Sequence, residues 1–426
     1  MYNELKSYAN KGISPFHTPG HKGIIDPEIL KLDLTELPDT GSLYGHNNII
    51  SDAEKQAADY FGAHTTCFSA GGCTLAIQAM IKLAVPQNGK LLIGRCCHQS
   101  AIHAMALLGV TPVWIYEGGD LRINSHDVEA ALSADSSISA VYVTSPHYYG
   151  VISDIRAIAD CCKHHGIPLL VDNAHGAHLK EFSLHPLTLG ASITACSAHK
   201  TLPVLTGGAF LNIADSRYAS GAKDAMKLFG STSPSYMVMA SLDRAVAGLL
   251  GNCGEYAKLS ETVDFLKEKS AEKGLGIFGG AVDPVRLTID FSAVGLTADE
   301  AYAHMRSHMV EPEYTDSRHM IFIASPRNTQ LDFERLAKAI DAFPAGAPID
   351  IRHESFIKLP SVMPLRDAVM APDETIEAEL AAGRTVSKTV SLCPPGIPIA
   401  VPGEKISADA VILIKSYGIR HINVVK

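Results

Sequence analysis

Short apolar runs alternate with amphipathic stretches along the first half of the chain. The apolar runs are typical of buried strands, and the amphipathic stretches are typical of helices that cover a sheet. The predicted strands are Lys90–Ile93, Thr111–Tyr116, Ser139–Ser145, Ile167–Asp172, Ala191–Cys196 and Gly208–Ile213. The predicted helices are Ser51–Phe61, Thr74–Ala84, Gln99–Leu108, Ser125–Leu132 and Ile152–His165. This order predicts βαβ units around a mostly parallel sheet, and therefore an α/β domain.

The second half of the chain shows a different order of elements. Two long helical patterns, Ser233–Leu250 and Cys253–Lys273, precede the glycine-rich boundary Gly274–Gly280. Beyond it, strand and helix patterns alternate, at Pro284–Phe291, Thr297–His308, His319–Ala324 and Asp332–Phe343. The Pro/Gly-rich link Pro344–Asp350 leads into a terminal segment interrupted by prolines. We predict an irregular N-terminal arm (1–30), a large domain (31–274) and a smaller α+β C-terminal domain (275–426).

Composition and charge narrow the possible classes of protein. The chain has 426 residues, of which 46% are hydrophobic, so it can form a large core and is not disordered. Its net charge of −9 indicates neither a nucleic-acid groove nor binding to an anionic membrane surface. No apolar run approaches the roughly 18 residues of a membrane helix, and the first residues are polar, so we expect a cytoplasmic protein. The nine cysteines include no C-x-x-C pair, which favours reduced thiols and no metal site.

Two charged residues stand at the ends of predicted strands. Asp172 ends the run Ile167–Asp172, and Lys200 follows Ala191–Cys196, one strand–connection–strand step later. Ligands of parallel α/β sheets bind at the carboxyl ends of the strands, so both side chains could face one crevice. Alone, the aspartate also fits a helix cap, and the lysine also fits a solvated surface position.

A third feature is the turn Ala70–Thr74, with its two glycines, at the start of a predicted helix. A helix N-terminus suits a phosphate because it offers backbone N–H groups and a positive dipole end, although such turns are common without a ligand. Lysine forms Schiff bases with carbonyl cofactors such as pyridoxal phosphate, whose ring nitrogen needs an acid nearby. The three features together therefore predict a pyridoxal phosphate site.

Six stretches of the chain carry a family resemblance. They are Phe16–Gly23 (FHTPGHKG), Leu34–Leu37 (LTEL), Thr144–Val151 (TSPHYYGV), Asp172–His175 (DNAH), Ser197–Pro203 (SAHKTLP) and Pro394–Glu404 (PPGIPIAVPGE). On these motifs the chain resembles the ornithine/lysine/arginine decarboxylase family. The resemblance implies the pyridoxal phosphate fold type I of the aspartate aminotransferase superfamily: a large domain with a mostly parallel sheet and a smaller α+β domain.

The resemblance also implies a role for each residue around the cofactor ring. Lys200 would hold the cofactor through a Schiff base, and Asp172 would pair with the pyridine nitrogen. His98 would stack on the ring face, and Ala174 would pack beneath the ring. His175 would lie near the phenolic oxygen of the cofactor.

The same resemblance implies which residues bind the phosphate. Thr74, Ser197 and His199 would contact it directly. Gly72 and Cys73 would complete the cup at the start of the helix. The implied cofactor is pyridoxal 5'-phosphate, and no metal is expected.

The expected reaction is decarboxylation of a small basic amino acid (arginine, lysine or ornithine) to the amine and carbon dioxide, as in polyamine metabolism. An aminotransferase or a carbon–carbon lyase on the same fold is an alternative, because one scaffold hosts several reactions. A catalytically silent regulator that binds amines or the cofactor is another. The resemblance implies a homodimer or higher homo-oligomer, in which the arm around His17 and His21 helps to build the active site near the interface.

Several positions depart from the pattern of the family. A cysteine at position 73, where serine is typical, removes a strong donor from the phosphate cup. The departures are Cys73, Cys97, Gln99, Asn173, Gly207 and Cys393. They retain the lysine and its acid, so they put the identity of the substrate in doubt rather than the cofactor.

The sequence leaves several candidates for the residue that binds the far end of the substrate. A distal amine or guanidinium needs an acidic partner, and the candidates are Glu36, Asp39 and Glu404. A transaminase would need an arginine for a second carboxylate, and the candidates are Arg327, Arg352 and Arg384. Each of these charged residues also fits an ordinary surface position.

Overall fold

The structure is a computed structural model that describes residues 7, 10–17, 21, 22, 24, 26–251, 254–349, 357–391 and 397–426. Its strands, in chain order, are β1 (Ser14–Phe16), β2 (Thr65–Ser69), β3 (Lys90–Gly94), β4 (Thr111–Ile115), β5 (Ile138–Thr144), β6 (Leu169–Asp172), β7 (Ile193–Cys196), β8 (Ala209–Ile213), β9 (Gly276–Ile277), β10 (Arg286–Asp290), β11 (Val310–Pro312), β12 (Tyr314–Thr315), β13 (His319–Ile323), β14 (Asp373–Glu377), β15 (Val390–Ser391), β16 (Pro398–Ala400) and β17 (His421–Val425).

The helices follow the amphipathic stretches of the sequence. In chain order they are α1 (Ile49–Phe61), α2 (Gly72–Ala84), α3 (Gln99–Leu108), α4 (Ser125–Ala134), α5 (Ile155–His164), α6 (Ala198–Thr201), α7 (Ala222–Phe229), α8 (Tyr236–Gly251), α9 (Glu255–Glu272), α10 (Ala298–Ser307), α11 (Gln330–Asp341), α12 (Leu365–Met370) and α13 (Ala408–Ser416). Polar side chains cap many of them: Asn48 accepts the first-turn amides of α1, and Asp154 accepts an amide of α5. Helix α8 begins at Tyr236 rather than at the predicted Ser233, two residues after Pro234.

A seven-stranded sheet forms the centre of the large domain, in the order β2-β8-β7-β6-β5-β3-β4. The pairs from β7 to β4 are parallel, whereas β8 runs antiparallel to both β7 and β2. The four residues of β6 are all buried, which is typical of a parallel strand covered on both faces. The predicted mostly parallel sheet of an α/β domain is therefore confirmed.

The register of the central sheet brings functional positions to one edge. Thr144 at the end of β5 lies opposite Asp172 at the end of β6, and Asp172 lies opposite Ala195 on β7. The strand β2 and the helix α7 have no counterpart among the predicted elements. Strand β2 pairs with β8, so its carboxyl end leads into the glycine turn at the same edge of the sheet as Asp172, and α7 packs against α2.

The chain after α9 builds a second sheet, in the antiparallel order β12-β13-β10-β9. Helices α10 and α11 belong to the same core, which includes Leu287, Met305 and Leu336. The strand β1 pairs in parallel with β11, and Phe16 packs edge-to-face against Phe322. The arm predicted as irregular is thus wrong for Ser14–Phe16, because these residues gain strand partners from the small domain.

The last 70 residues contain structure that the proline-interrupted sequence did not predict. The pairs β14–β17 and β15–β16 form two small antiparallel sheets, and α13 packs against them in a separate core. Glu404 anchors this region to the large domain through an ion pair with Arg95. The proposed division at residue 274 remains a prediction.

Candidate active site

A cavity of about 230 Å³ opens at the carboxyl ends of β5, β6 and β7. Its walls combine one amine, one carboxylate, several imidazoles and a glycine turn. The lining residues are Gly72, Cys73, Thr74, Ile77, Cys96, His98, Thr144, His147, Tyr148, Asp172, Ala174, His175, Ser197, His199, Lys200 and Ile397. All ten residues predicted for the site line this one cavity.

Asp172 is buried at the end of β6, with 1% of its surface exposed. Its Oδ2 accepts a hydrogen bond from Tyr142 Oη at 3.0 Å, and its Oδ1 accepts one from the Ala174 amide at 3.1 Å. The second contact closes a turn and is not a helix cap, because the next helical turn begins at Ala177 with Gly176 as its N-cap. The first contact orients the carboxylate within the cavity wall.

Lys200 lies in the one-turn helix α6, directly after β7, and its Nζ is 2.8 Å from His175 Nε2. Desolvation lowers the pKa of Lys200, and the negative charge of Asp172 opposes this effect. A lysine with a lowered pKa is a better nucleophile, because more of it carries a free lone pair.

His175 connects the lysine to the small domain. Its Nδ1 lies 3.3 Å from both terminal nitrogens of Arg286, the first residue of β10. Burial lowers the pKa of His175 well below its ordinary value, and the positive charges of Lys200 and Arg286 lower it further. The ring is therefore neutral at physiological pH. No sequence pattern pointed to Arg286.

The glycine turn before α2 provides an uncapped helix N-terminus. Gly72 has a φ of +73°, and an added Cβ would meet no heavy atom within 4 Å, so there is open space at this point. The N-cap Gly71 has no side chain to bind the first-turn amides. The Gly72 amide itself donates to the carbonyl of Gly207 at 2.8 Å. The backbone amides that remain to bind a phosphate are therefore those after Gly72 in the first turn of α2.

Three polar side chains stand beside this turn. The Ser197 hydroxyl interacts with Cys73, whose thiol has a pKa raised well above its ordinary value by burial. His199 Nδ1 lies 3.1 Å from the Gly208 carbonyl, to which it donates. Burial lowers the pKa of His199, so its neutral ring presents an Nε2 lone pair. A phosphate would therefore bind His199 only if the ring gains a second proton.

His98 is the N-cap of α3. Its Nδ1 accepts the Ser100 amide at 3.2 Å, which places the proton of the neutral ring on Nε2. Burial lowers the pKa of His98, while Asp172 raises it. The ring thus enters the cavity as a neutral aromatic group.

The residues present fit pyridoxal phosphate. A buried carboxylate, an amine with a lowered pKa and an uncapped helix N-terminus share one cavity, as the donor set for that cofactor requires. In addition, the hydroxyl of Thr144 in the cavity wall is buried without a hydrogen-bond partner. Such an orphaned group is typical of a site that a bound molecule completes.

A second acid beside the site, Glu313, was not identified from the sequence. Glu313, between β11 and β12, accepts a hydrogen bond from Tyr148 Oη at 3.1 Å, and Tyr148 lines the cavity. Burial lowers the pKa values of Lys200 and His199, and the charge of Glu313 opposes this in both. Glu313 is therefore a negative charge directly behind the cavity wall.

The charged residues suggested for the far end of the substrate lie elsewhere. Glu404 is buried in a bidentate ion pair with Arg95, so its candidacy for a substrate cation is wrong. Glu36 and Asp39 are exposed and do not line the cavity. Arg384 pairs with Glu374, and Arg327 does not line the cavity either. Arg352 and Cys393 lie outside the described residues.

Two further features can be judged within the described part of the chain. No helix there has the length and apolar character needed to cross a membrane. Across the same residues, no three histidine, cysteine or acidic side chains are grouped so that they could hold a metal ion.

The sequence matches the family described as "Orn/Lys/Arg decarboxylase, major domain" over residues 1–273. It is 30% identical over 449 residues to an arginine decarboxylase of Bacillus subtilis (strain 168), covering 96% of this chain and 92% of that one. It is also 30% identical to an arginine decarboxylase of Halalkalibacterium halodurans, covering 97% and 92%. The fold resembles that of the lysine decarboxylase LdcF of Francisella novicida, with a TM-score of 0.78 and 18% identity over 99% of this chain and 80% of that one.

Proposed function

We propose that this chain, which belongs to the Orn/Lys/Arg decarboxylase family, removes the α-carboxyl group of L-arginine with pyridoxal phosphate as its cofactor. Decarboxylation of a basic amino acid is the activity of the family. The choice of arginine is supported by the relatives that align along nearly the whole chain and are named arginine decarboxylases.

The observation that carries the proposal is the placement of Asp172 and Lys200 in one cavity, at the ends of adjacent strands. Bound pyridoxal phosphate supplies an electron sink for the bonding electrons that carbon dioxide leaves behind. In our assignment Lys200 Nζ holds the cofactor and Asp172 stabilises positive charge at the ring nitrogen. A fixed negative charge in a buried site stabilises such a charge without reorganisation of solvent.

The other cavity residues position the cofactor. We assign ring contacts to His98 and Ala174, and a contact with the phenolic oxygen to His175. We assign the phosphate to the first turn of α2, with Gly72, Cys73 and Thr74, together with Ser197 and His199. Lys200 Nζ and His98 Nε2 are the candidate donors of the proton that replaces the carboxylate on the α-carbon, each in its protonated, cationic form.

We further propose that Glu313 attracts the side-chain cation of the substrate. It is the acid in contact with Tyr148 in the cavity wall, and it is close enough to Lys200 to affect its pKa. A guanidinium can bind a carboxylate through two parallel hydrogen bonds, which adds specificity as well as binding energy.

The test measures the release of labelled carbon dioxide from carboxyl-labelled arginine, lysine, ornithine and a neutral amino acid. We expect release from arginine above all. Release from none of the basic amino acids would contradict the proposed activity, and release mainly from lysine or ornithine would contradict the choice of arginine.

The variant Glu313→Gln tests the recognition of the cation. We expect its KM for arginine to rise roughly 10- to 100-fold with kcat less affected, because a hydrogen bond to a charged group is lost. The matched control is Glu311→Gln, two residues away, whose carboxylate pairs with Arg306. An unchanged KM in Glu313→Gln would exclude this role.

The assembly and location remain part of the proposal. We infer a cytoplasmic homodimer that supplies amines to polyamine metabolism, with the active site near the interface. Within one chain, His21 of the arm lies close enough to His199 for its charge to lower the pKa of that residue, which supports a contribution of the arm to the active site. Light scattering of the purified protein tests the dimer, and a monomer at working concentration would exclude it.

A further inference from the structure

Arg286 of the small domain contacts His175, and His175 in turn contacts Lys200. We propose that Arg286 is a positioning residue that fixes the proton of His175 on Nε2 and thereby presents Lys200 as a neutral amine. The inference rests on the proposed function in one respect, namely that Lys200 is the group that reacts with the cofactor.

The position of Arg286 is determined by contacts with the main chain and with a carboxylate. Its guanidinium is 2% exposed, donates to the carbonyl of Tyr148, and lies 3.5 Å from Asp283 Oδ2. Asp283 is itself held by His178 at 2.7 Å. The stem of Arg286 crosses Gly150, where an added Cβ would lie 2.9 Å from Arg286 Cδ. The guanidinium therefore has little freedom to turn away.

The guanidinium determines the tautomer of His175. Both terminal nitrogens of Arg286 lie 3.3 Å from His175 Nδ1. An arginine side chain has donors and no acceptor, so Nδ1 must accept. The ring is neutral, because burial and the nearby positive charges lower the pKa of His175 well below its ordinary value. Its single proton is consequently on Nε2.

The protonated Nε2 determines the form of lysine that fits. Nε2 lies 2.8 Å from Lys200 Nζ, and a protonated nitrogen must donate to its partner. An ammonium group has no lone pair to accept that bond, whereas a neutral amine has one. The contact therefore stabilises the neutral lysine, which is the form that attacks a carbonyl carbon.

The surrounding charges do not produce this result by themselves. Asp172 and Glu313 favour the ammonium form of Lys200, whereas burial and Arg286 favour the neutral amine. The titratable or charged groups that face Lys200 or His175 are Cys73, His98, His147, Tyr148, Asp172, Arg286 and Glu313. Asp172 and Glu313 both lie close to Lys200, so charge alone does not select the neutral amine. The hydrogen bond that His175 Nε2 donates favours the neutral amine because it requires a lone pair on Lys200 Nζ.

The first test measures the pKa of Lys200 in the apoprotein, from the pH dependence of its acetylation by acetic anhydride, followed by peptide mass spectrometry. We expect Arg286→Met to raise this pKa by about one unit, which slows acetylation roughly tenfold at lower pH. Arg286→Lys keeps a charged donor without an acceptor and should restore the value of the natural protein. The matched control Arg384→Met removes an arginine paired with Glu374 and should leave the pKa of Lys200 unchanged.

A double-mutant comparison separates the tautomer from simple charge. Loss of a positive charge alone would also raise the pKa of Lys200, whether or not His175 is present. We expect Arg286→Met to raise the pKa of Lys200 by a clearly smaller amount in a His175→Ala background. The imidazole that links Arg286 to Lys200 is absent from that background. Equal shifts in the two backgrounds would overturn the proposal.

A second measurement needs no change at Arg286 and so does not depend on the folding of that variant. Nitrogen-15 NMR of the apoprotein with labelled histidines, assigned by His175→Asn, reports which ring nitrogen carries the proton. We expect the proton on Nε2, and a proton on Nδ1 would contradict the proposal. Neither measurement uses substrate, so a failure of the proposed decarboxylation would be seen separately, in the carbon dioxide assay.

Discussion

The two sides of the active-site cavity are built in different ways. Asp172 and Lys200 stand at the ends of neighbouring parallel strands, and the βαβ order of the sequence brings them together. His175 and Arg286 meet across the boundary between the central sheet and the second sheet. Their contact depends on the clearance at Gly150 and on the anchor at Asp283. The positions of Asp172 and Lys200 can therefore be predicted from the parallel topology of the sheet. The contact between His175 and Arg286 depends instead on how the two domains pack.

We expect the largest loss of activity from a substitution of Lys200, at the end of the central sheet. Lys200→Ala should reduce turnover to background, because no other amine lines the cavity in the described part of the chain. The measurement is carbon dioxide release, together with mass spectrometry of cofactor trapped by borohydride. The control Lys163→Ala changes an exposed lysine of α5 and should have no effect. Turnover at the natural rate in Lys200→Ala would remove this lysine from the mechanism.

The acid on the same side should have the next largest effect. Asp172→Asn should lower kcat roughly 100- to 1,000-fold, the typical result of removing one buried electrostatic stabiliser. The cofactor should remain attached to Lys200, which absorbance and borohydride trapping can check. Asp160→Asn, an exposed aspartate on α5, is the matched control. Full activity in Asp172→Asn would mean that another residue serves the ring nitrogen.

The phosphate cup should respond least. Cys73→Ser replaces a buried neutral thiol by a stronger donor, so the Kd for pyridoxal phosphate should fall roughly 2- to 10-fold. Equilibrium titration of the apoprotein measures this change. Cys161→Ser, outside the cavity, controls for the loss of a thiol. An unchanged Kd would show that Cys73 does not limit binding of the cofactor.

The same contrast explains how far the sequence could predict the molecule. The strands from β3 to β8 were identified because buried apolar runs between amphipathic helices are distinctive. The short β2, the arm strand β1 and the sheets after residue 357 were missed. The residues of β1, β2 and β14 form strands through partners that are distant in the sequence, such as β11 for β1. Strands β15 and β16 are close in the sequence, at Val390–Ser391 and Pro398–Ala400, but they are very short.

The family motifs contain six of the ten predicted residues that line the cavity, whereas the glycine turn at a helix start pointed to Gly72, Cys73 and Thr74 and the resemblance alone pointed to His98. Glu313 and Arg286 were missed because neither belongs to such a motif, and each meets the large domain through tertiary contacts: Tyr148 for Glu313, and His175 and the Tyr148 carbonyl for Arg286. Glu404 was misjudged for a related reason. Its partner Arg95 precedes it by 309 residues, and their pairing is not encoded locally.

That ion pair has a consequence for the modularity of the chain. Arg95 precedes the loop that carries His98, and its guanidinium lies 5.0 Å from the Trp114 ring and is 1% exposed. Separating a buried pair leaves a stranded charge at a cost of about 3–5 kcal/mol. A fragment that stops before residue 404 would carry this penalty beside the loop through which His98 reaches the cavity. Gene fusions, truncations and domain exchanges should therefore keep the segment that contains Glu404 together with the large domain that contains Arg95.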